Sequence, residues 1–190
     1  CKKTAERLEQ KIQPLFGGTL RIVFHHYPLH KACNVSTRSS MHPNACEAAR
    51  WAEATRILKG NGGFWEAHDY LFENQSLLKH GELAMTAFAN AMDLPMEDLQ
   101  RAISSEVVSQ RITDDTKLGG TVGVRATPSV FLQGRLLHTM ANQSMAFWDA
   151  AADRYWTETG QKRPAQTQRP TPEKKKTVPK FNPDKTTPTP

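Results

Sequence analysis

Three cysteines, Cys1, Cys33 and Cys46, carry the most reactive side chains in this chain. Thiol–disulfide exchange runs through a thiolate, and a cysteine at the start of a helix reaches that state readily. Unpaired backbone N–H groups and the helix dipole favour the anion and pull the pKa below the free value of about 8.5. Cys1 stands where an amphipathic pattern begins, with Lys2 and Lys3 adding positive charge beside it. An odd number of cysteines points to a missing partner for one of them. Cys33 and Cys46 are separated by twelve residues in a polar loop. Three readings of that pair compete. A structural disulfide closing the loop, worth about 3 kcal/mol by chain entropy, is the preferred one. A second redox pair is another, and a metal site with His30 and His42 is the third, although the spacings fit no zinc pattern well. His25 and His26 are neighbours in a predicted strand, so they face opposite sides and cannot both reach one ion. His68 shares an apolar helix face with Phe64, Leu71 and Phe72 and reads as a hydrogen-bonded core histidine; Phe64, Trp65 and Phe72 read as core packing. No metal site is predicted.

The elements that position these residues follow from hydrophobic spacing. Ala5, Leu8, Ile12 and Leu15 predict a helix from Cys1 to Gln13, bent or ended by Pro14 and stopped by Gly17-Gly18. Leu20, Ile22 and Phe24 alternate as in a strand closed by Tyr27-Pro28. Residues 30–43 read as a loop. Asn44 is the expected N-cap of a helix from Ala45 to about Lys59, ended by Gly60 and Gly62-Gly63. Further helices are predicted from Phe64, from about Glu82 to Met92, from Pro95 to about Ser104, and from Glu106 to Gly119-Gly120. Ser129–Leu132, a Gln133-Gly134 turn and Arg135–His138 predict a hairpin. Ser144 to about Thr159 predicts a last helix, with Phe147, Ala151 and Tyr155 four residues apart.

Composition sets limits on function. Hydrophobic residues make up 38%, and the sequence pI is near 9.3. From Gln161 to Pro190 there are eight Lys/Arg and two Asp/Glu, whereas residues 1–160 hold 17 of each. The basicity is therefore read as a property of the tail, and nucleic acid is not expected as a partner. Nothing approaches the roughly 18–20 apolar residues of a membrane span. No signal segment is evident, and a first residue other than Met implies a removed leader or a longer parent product. After Gly160 the chain is rich in Pro, Thr, Lys and Gln, too poor in apolar groups to offset the entropy of ordering. Lys174-Lys175-Lys176 reads as part of a solvated linker, with tethering to an acidic envelope surface as the sharper alternative.

Three local patterns resemble the DsbA-like branch of the thioredoxin superfamily. Cys1-Lys2-Lys3-Thr4-Ala5-Glu6 is similar to the stretch that starts at the second cysteine of that family's C-x-x-C. Gly63 to Phe72 followed by Gln75 resembles a helix of its inserted helical subdomain. Gly123-Val124-Arg125-Ala126-Thr127-Pro128-Ser129, continuing to Gly134, resembles its cis-proline loop and is the most specific of the three. Phe24–Leu29, Cys33-Asn34 and Met41-His42-Pro43 leading to Cys46–Ala49 look like a subgroup fused to vitamin K epoxide reductase-type domains.

The resemblance implies an α/β, thioredoxin-like fold over residues 1–160, with a helical insertion at about 40–105, the first strand missing, and a disordered tail at 161–190. It implies a protein thiol–disulfide oxidoreductase in which Cys1 is the resolving cysteine and the nucleophile lies upstream. The residues themselves also allow Cys1 as the sole or attacking thiol. A lipid-modified N-terminal cysteine is a third reading, disfavoured because a helical pattern begins at once. In the family, Thr127 and a cis Pro128 would bind substrate. A generic X–Pro bond is trans, cis occurring in only about 5–6% of cases. The expected partners are protein or peptide thiol and disulfide substrates and a membrane or thioredoxin-like redox partner, with no cofactor, outside the cytoplasm and membrane-tethered through parts absent from the chain. The alternatives are a non-catalytic thioredoxin-like peptide-binding module and a glutathione-dependent isomerase of the same fold.

Overall fold

Leu8, Ile12 and Leu15 recur at helical spacing, and the backbone is helical from Lys2 to Phe16. The run passes from α1 (Lys2–Arg7) through a π-turn at Leu8–Ile12 to a 3-10 turn at Gln13–Phe16. Pro14 is tolerated because it opens that last turn, where its missing N–H costs nothing. Gly17, at φ 56°, ends the run in a left-handed conformation. The computed structural model describes residues 1–38, 40–137, 144–165 and 180–181. His138, Lys174–Lys176 and most of the expected tail lie outside the described residues. The chain divides into two units, one made of Cys1–Phe24 and Val124–Lys176, the other of His25–Gly123 and Thr177–Pro190.

In the first unit, Ile12, Leu15 and Phe16 form a core with Trp148, Ala152 and Trp156. The last three lie on α6 (Met145–Glu158). The spacing Phe147, Ala151, Tyr155 marks the helix, yet the residues buried most deeply are the stripe one position on. Two aromatic stripes with the same four-residue spacing run side by side, and the larger indoles take the core. Trp156 Nε1–H also donates to the Leu15 carbonyl at 3.1 Å, tying α6 to the turn. β1 (Val130–Leu132) and β2 (Arg135–Leu137) pair antiparallel, Val130 opposite Leu137 and Phe131 opposite Leu136. Gln133 and Gly134 turn the corner with φ of 48° and 78°, both positive as a two-residue hairpin loop requires. Val130, Leu132 and Leu137 pack on the core, leaving Phe131 and Leu136 outward.

Leu20–Phe24 lies outside this two-stranded sheet. Alternation in sequence marks extended backbone, but a strand is defined by its ladder. Leu20 packs on the core all the same. Gly160 does not release the chain: the Arg163 guanidinium bonds to Asp149 and Asp153 on α6.

The second unit opens on a non-helical segment that carries one antiparallel bridge, His30 opposite Ser40, and continues as helices. α2 (Ala45–Glu73) starts at Asn44, whose carbonyl accepts from the Ala48 N–H at 3.0 Å. Gly60, at φ 71° and ψ −165°, breaks it where the sequence predicts an end, and the helix resumes at once. A 3-10 turn, α3 (Gly81–Ala91), α4 (Met96–Ile103) and α5 (Glu106–Thr121) follow. Trp51, Phe64, Phe88, Leu99, Val108 and Ile112 are buried, Trp51 and Tyr70 meeting the Phe88 ring at 5.0 and 5.7 Å. α5 ends at Thr121, one residue past the expected stop at Gly119-Gly120, and both glycines lie in its last turn. A Cβ on Gly119 would sit 2.5 Å from Tyr27 Cδ2, and one on Gly120 would sit 2.3 Å from Ser36 Oγ. Beside marking the end of the helix, these glycines admit the passing 27–36 segment.

The charge balance of residues 1–160 conceals a segregation. Residues 1–24 and 124–160, which belong to the first unit, hold eight basic and five acidic side chains; residues 25–123 hold nine and twelve. The basicity is therefore not confined to the tail.

Candidate functional site

Cys1 is the N-cap of α1, exposed, with a free thiol. Its carbonyl accepts from the Thr4 and Ala5 N–H groups at 2.9 and 3.0 Å. The Thr127–Pro128 peptide is cis, with Pro128 exposed and Thr127 half-buried. The Ser129 hydroxyl donates to the Ala126 carbonyl at 2.6 Å, closing the turn that feeds β1. Among the described residues, no hydrogen bond or disulfide joins Cys1 to this turn.

Cys33 and Cys46 form a disulfide, Cα–Cα 5.8 Å, that fastens the 33–46 loop to the first turn of α2. With both sulfurs so bonded, neither is a thiolate ligand for the His30 and His42 arrangement. His30 is instead used locally, its Nδ1 accepting from the Ala32 N–H at 3.1 Å. Asn34 is buried, donating from Nδ2 to the Pro28 carbonyl at 3.0 Å and accepting from the Ser36 N–H at 2.9 Å. The Ser36 hydroxyl donates to the Thr116 carbonyl at 3.1 Å, which docks the loop on α5.

Sequence reasoning missed one dense polar constellation. Glu53, on α2 between Ala52 and Ala54, is 1% exposed. Its Oε1 accepts from His26 Nε2 at 2.9 Å, Arg56 Nε lies 3.1 and 3.0 Å from its two oxygens, and Arg111 Nε of α5 is 3.2 Å from Oε2. Asp115, one turn along α5, accepts from His25 Nδ1 at 2.6 Å and from the His26 backbone N–H at 2.8 Å. The Arg56 guanidinium carbon lies 3.8 Å over the Phe64 ring. Burial by itself would raise the Glu53 pKa; the hydrogen bonds and charges of His26 and Arg56 together outweigh it and hold the carboxyl below the usual range. The carboxylate is therefore ionised with both oxygens bonded, which suits it to clamp segment 25–26 between α2 and α5 rather than to pass protons. The His25 and His26 rings bond different acids, Asp115 and Glu53, yet Asp115 holds both residues, His25 through its ring and His26 through its backbone. The missing signal was Glu53. In a helix studded with Glu and Arg it looks solvated, and only its flanking Trp51, Ala52 and Ala54 hint at burial.

His68 is buried, its Nδ1 3.0 Å from Asp69 Oδ1, with the rings of Phe64, Trp65 and Phe72 at 6.2, 5.2 and 4.7 Å.

No protein-family model matches the chain, and no solved structure matches it significantly. Curated relatives do. Na(+)/H(+) antiporter NhaA 1 of Mycolicibacterium vanbaalenii is 30% identical over 134 residues, 70% of this chain and 20% of the relative. Its namesake in Mycolicibacterium gilvum is 28% identical over 152 residues, 80% of this chain and 21% of the relative. That of Salinispora arenicola is 30% identical over 123 residues, 65% and 17%. The chain thus spans about a fifth of the length of the curated relatives it matches. These names overturn the DsbA-like identification and the oxidoreductase activity drawn from it. They carry no support for protein thiol or disulfide substrates, for a redox partner, or for the peptide-binding and glutathione alternatives. The motifs behind that expectation are short and describe local geometry, a helix start and a proline turn, and such geometry recurs without a fixed activity.

Proposed function

We propose that this chain is a domain carried outside the bilayer by a membrane protein of the Na(+)/H(+) antiporter type, and that it takes no part in the ion path. One observation carries the reading: the relatives named as antiporters share only about a fifth of their length with it. Supporting it, no helix among the described residues is long and apolar enough to cross a membrane. Even the 29 residues of α2 are interrupted at Gly60 and carry the buried Glu53 cluster. The expected extracytoplasmic location reduces here to association with a membrane. The test is Na⁺-dependent proton flux in everted vesicles from cells making the full-length gene product, with and without this domain. The reading expects flux in both. Flux abolished by deletion, while the remainder still inserts in the membrane at wild-type levels, would overturn it.

For the architecture we propose a thioredoxin-like first unit into which the second is inserted. The order α1, insertion, proline turn, β1–β2 hairpin and α6 supports this, as does the return of the first unit at Val124 after leaving at Phe24. An experimental structure with β1 and β2 detached from α1 and α6 would contradict it.

A further inference from the structure

The first unit carries a surplus of positive charge, and part of it is organised. Lys3, Arg7 and Lys11 follow one another at four-residue steps, so successive cations lie about one turn apart along the same flank of the first helical run. With Glu6, Gln10 and Met145 they line an open groove of about 440 Å³. Lys3 and Lys11 are exposed, and the opposite flank, through Ile12 and Leu15, is bound into the core. Glu6 is the single acid among three cations there. Met145, half-buried at the first turn of α6, supplies an apolar wall anchored on the core cluster.

We propose that this groove docks on the phosphodiester headgroups of an anionic bilayer, an inference that rests on the reading of the chain as a domain carried beside a membrane. Charge complementarity favours the lipid surface: cations in a row match a plane of phosphates, and an apolar wall suits the glycerol level beneath them.

The experiment is co-sedimentation of the full 190-residue chain with vesicles of phosphatidylcholine plus phosphatidylglycerol, against phosphatidylcholine alone. Binding is expected to the anionic vesicles only and to weaken as salt shortens the screening length. Each cation near such a surface contributes about fivefold, so K3Q/K11Q should bind about 30-fold more weakly. K174Q/K175Q/K176Q, which removes more charge from the tail, should lose less. K3Q/K11Q binding within about twofold of the parent, on the same per-cation scale, would overturn the proposal, as would a larger loss from the tail variant or equal binding to both vesicles. Circular dichroism of K3Q/K11Q checks that the helix is retained. Purified chain and lipid need no membrane-spanning partner. A failure here therefore leaves the antiporter-domain reading standing, and failure of that reading leaves lipid binding measurable.

Discussion

Replacing Glu53 with alanine removes the carboxylate on which His26, Arg56 and Arg111 converge. Four contacts of 2.9–3.2 Å disappear together. The guanidinium of Arg111 belongs to a side chain that is 54% exposed and can return to water, so its share is that of a surface pair, under about 1 kcal/mol. His26 and Arg56, at 6% and 18% side-chain exposure, cannot rehydrate so easily. Breaking a buried ion pair costs about 3–5 kcal/mol because the partner is left uncompensated. With Arg111 discounted, Glu53→Ala should cost about 3 kcal/mol, lowering the melting temperature by about 6–12 °C for a chain of this size. Urea unfolding followed by circular dichroism measures it, and Arg111→Met, losing under about 1 kcal/mol, is the control. The pH profile adds a second check. A carboxyl held below its unfolded pKa of about 4.3 contributes stability above that value and loses it as pH falls through the folded pKa. The deficit of Glu53→Ala should therefore be constant near neutrality and shrink in acid. A variant within about 0.5 kcal/mol of the parent, the range of ordinary surface substitutions, or a deficit undiminished in acid, would refute the reasoning.

Gly120→Ala would ordinarily help a helix by about 1 kcal/mol. Here the new Cβ meets Ser36 Oγ at 2.3 Å, so the variant should lose about 1–3 kcal/mol, and Ser36→Ala should recover part of that in the double variant. The same urea assay reads both; a stabilised Gly120→Ala would contradict the packing described for α5. Cys33→Ser/Cys46→Ser should lose about 3 kcal/mol, as reduction of the parent should. Hydrogen exchange would show faster opening of the Asn34 and Ser36 contacts, and unchanged exchange there would show that the loop is held without the bond.

Element boundaries were legible where local chemistry dictates backbone. Asn44 opens α2 and Ser144 precedes α6, each in the N-cap position though neither side chain makes a cap hydrogen bond, and Gln133-Gly134 turns the hairpin through positive φ. Faces set by tertiary contact were not. Two stripes on α6 share one spacing, and only the fit of Trp148 and Trp156 against Ile12 and Phe16 selects between them. Gly119 and Gly120 mark the end of α5 to within one residue, but their second role, as spacers for Tyr27 and Ser36 more than eighty residues earlier in the chain, was not legible. Glu53 pairs with His26 and Arg111, 27 and 58 positions away, so its burial leaves no periodic trace. The activity was the least legible of all. The Thr127-Pro128 and Cys1 patterns describe how the backbone turns and where a helix starts, and the inference from geometry to redox chemistry failed against the named relatives.

Limited proteolysis of membranes containing the full-length gene product tests the central claim most directly. The account predicts that protease reaching one face of sealed vesicles releases a fragment that an antibody to this chain recognises, while the remainder stays in the pellet after alkaline extraction. An antibody to this chain that finds its residues protected in the extracted pellet from both vesicle orientations would contradict it, as would full-length product recovered entirely in the supernatant.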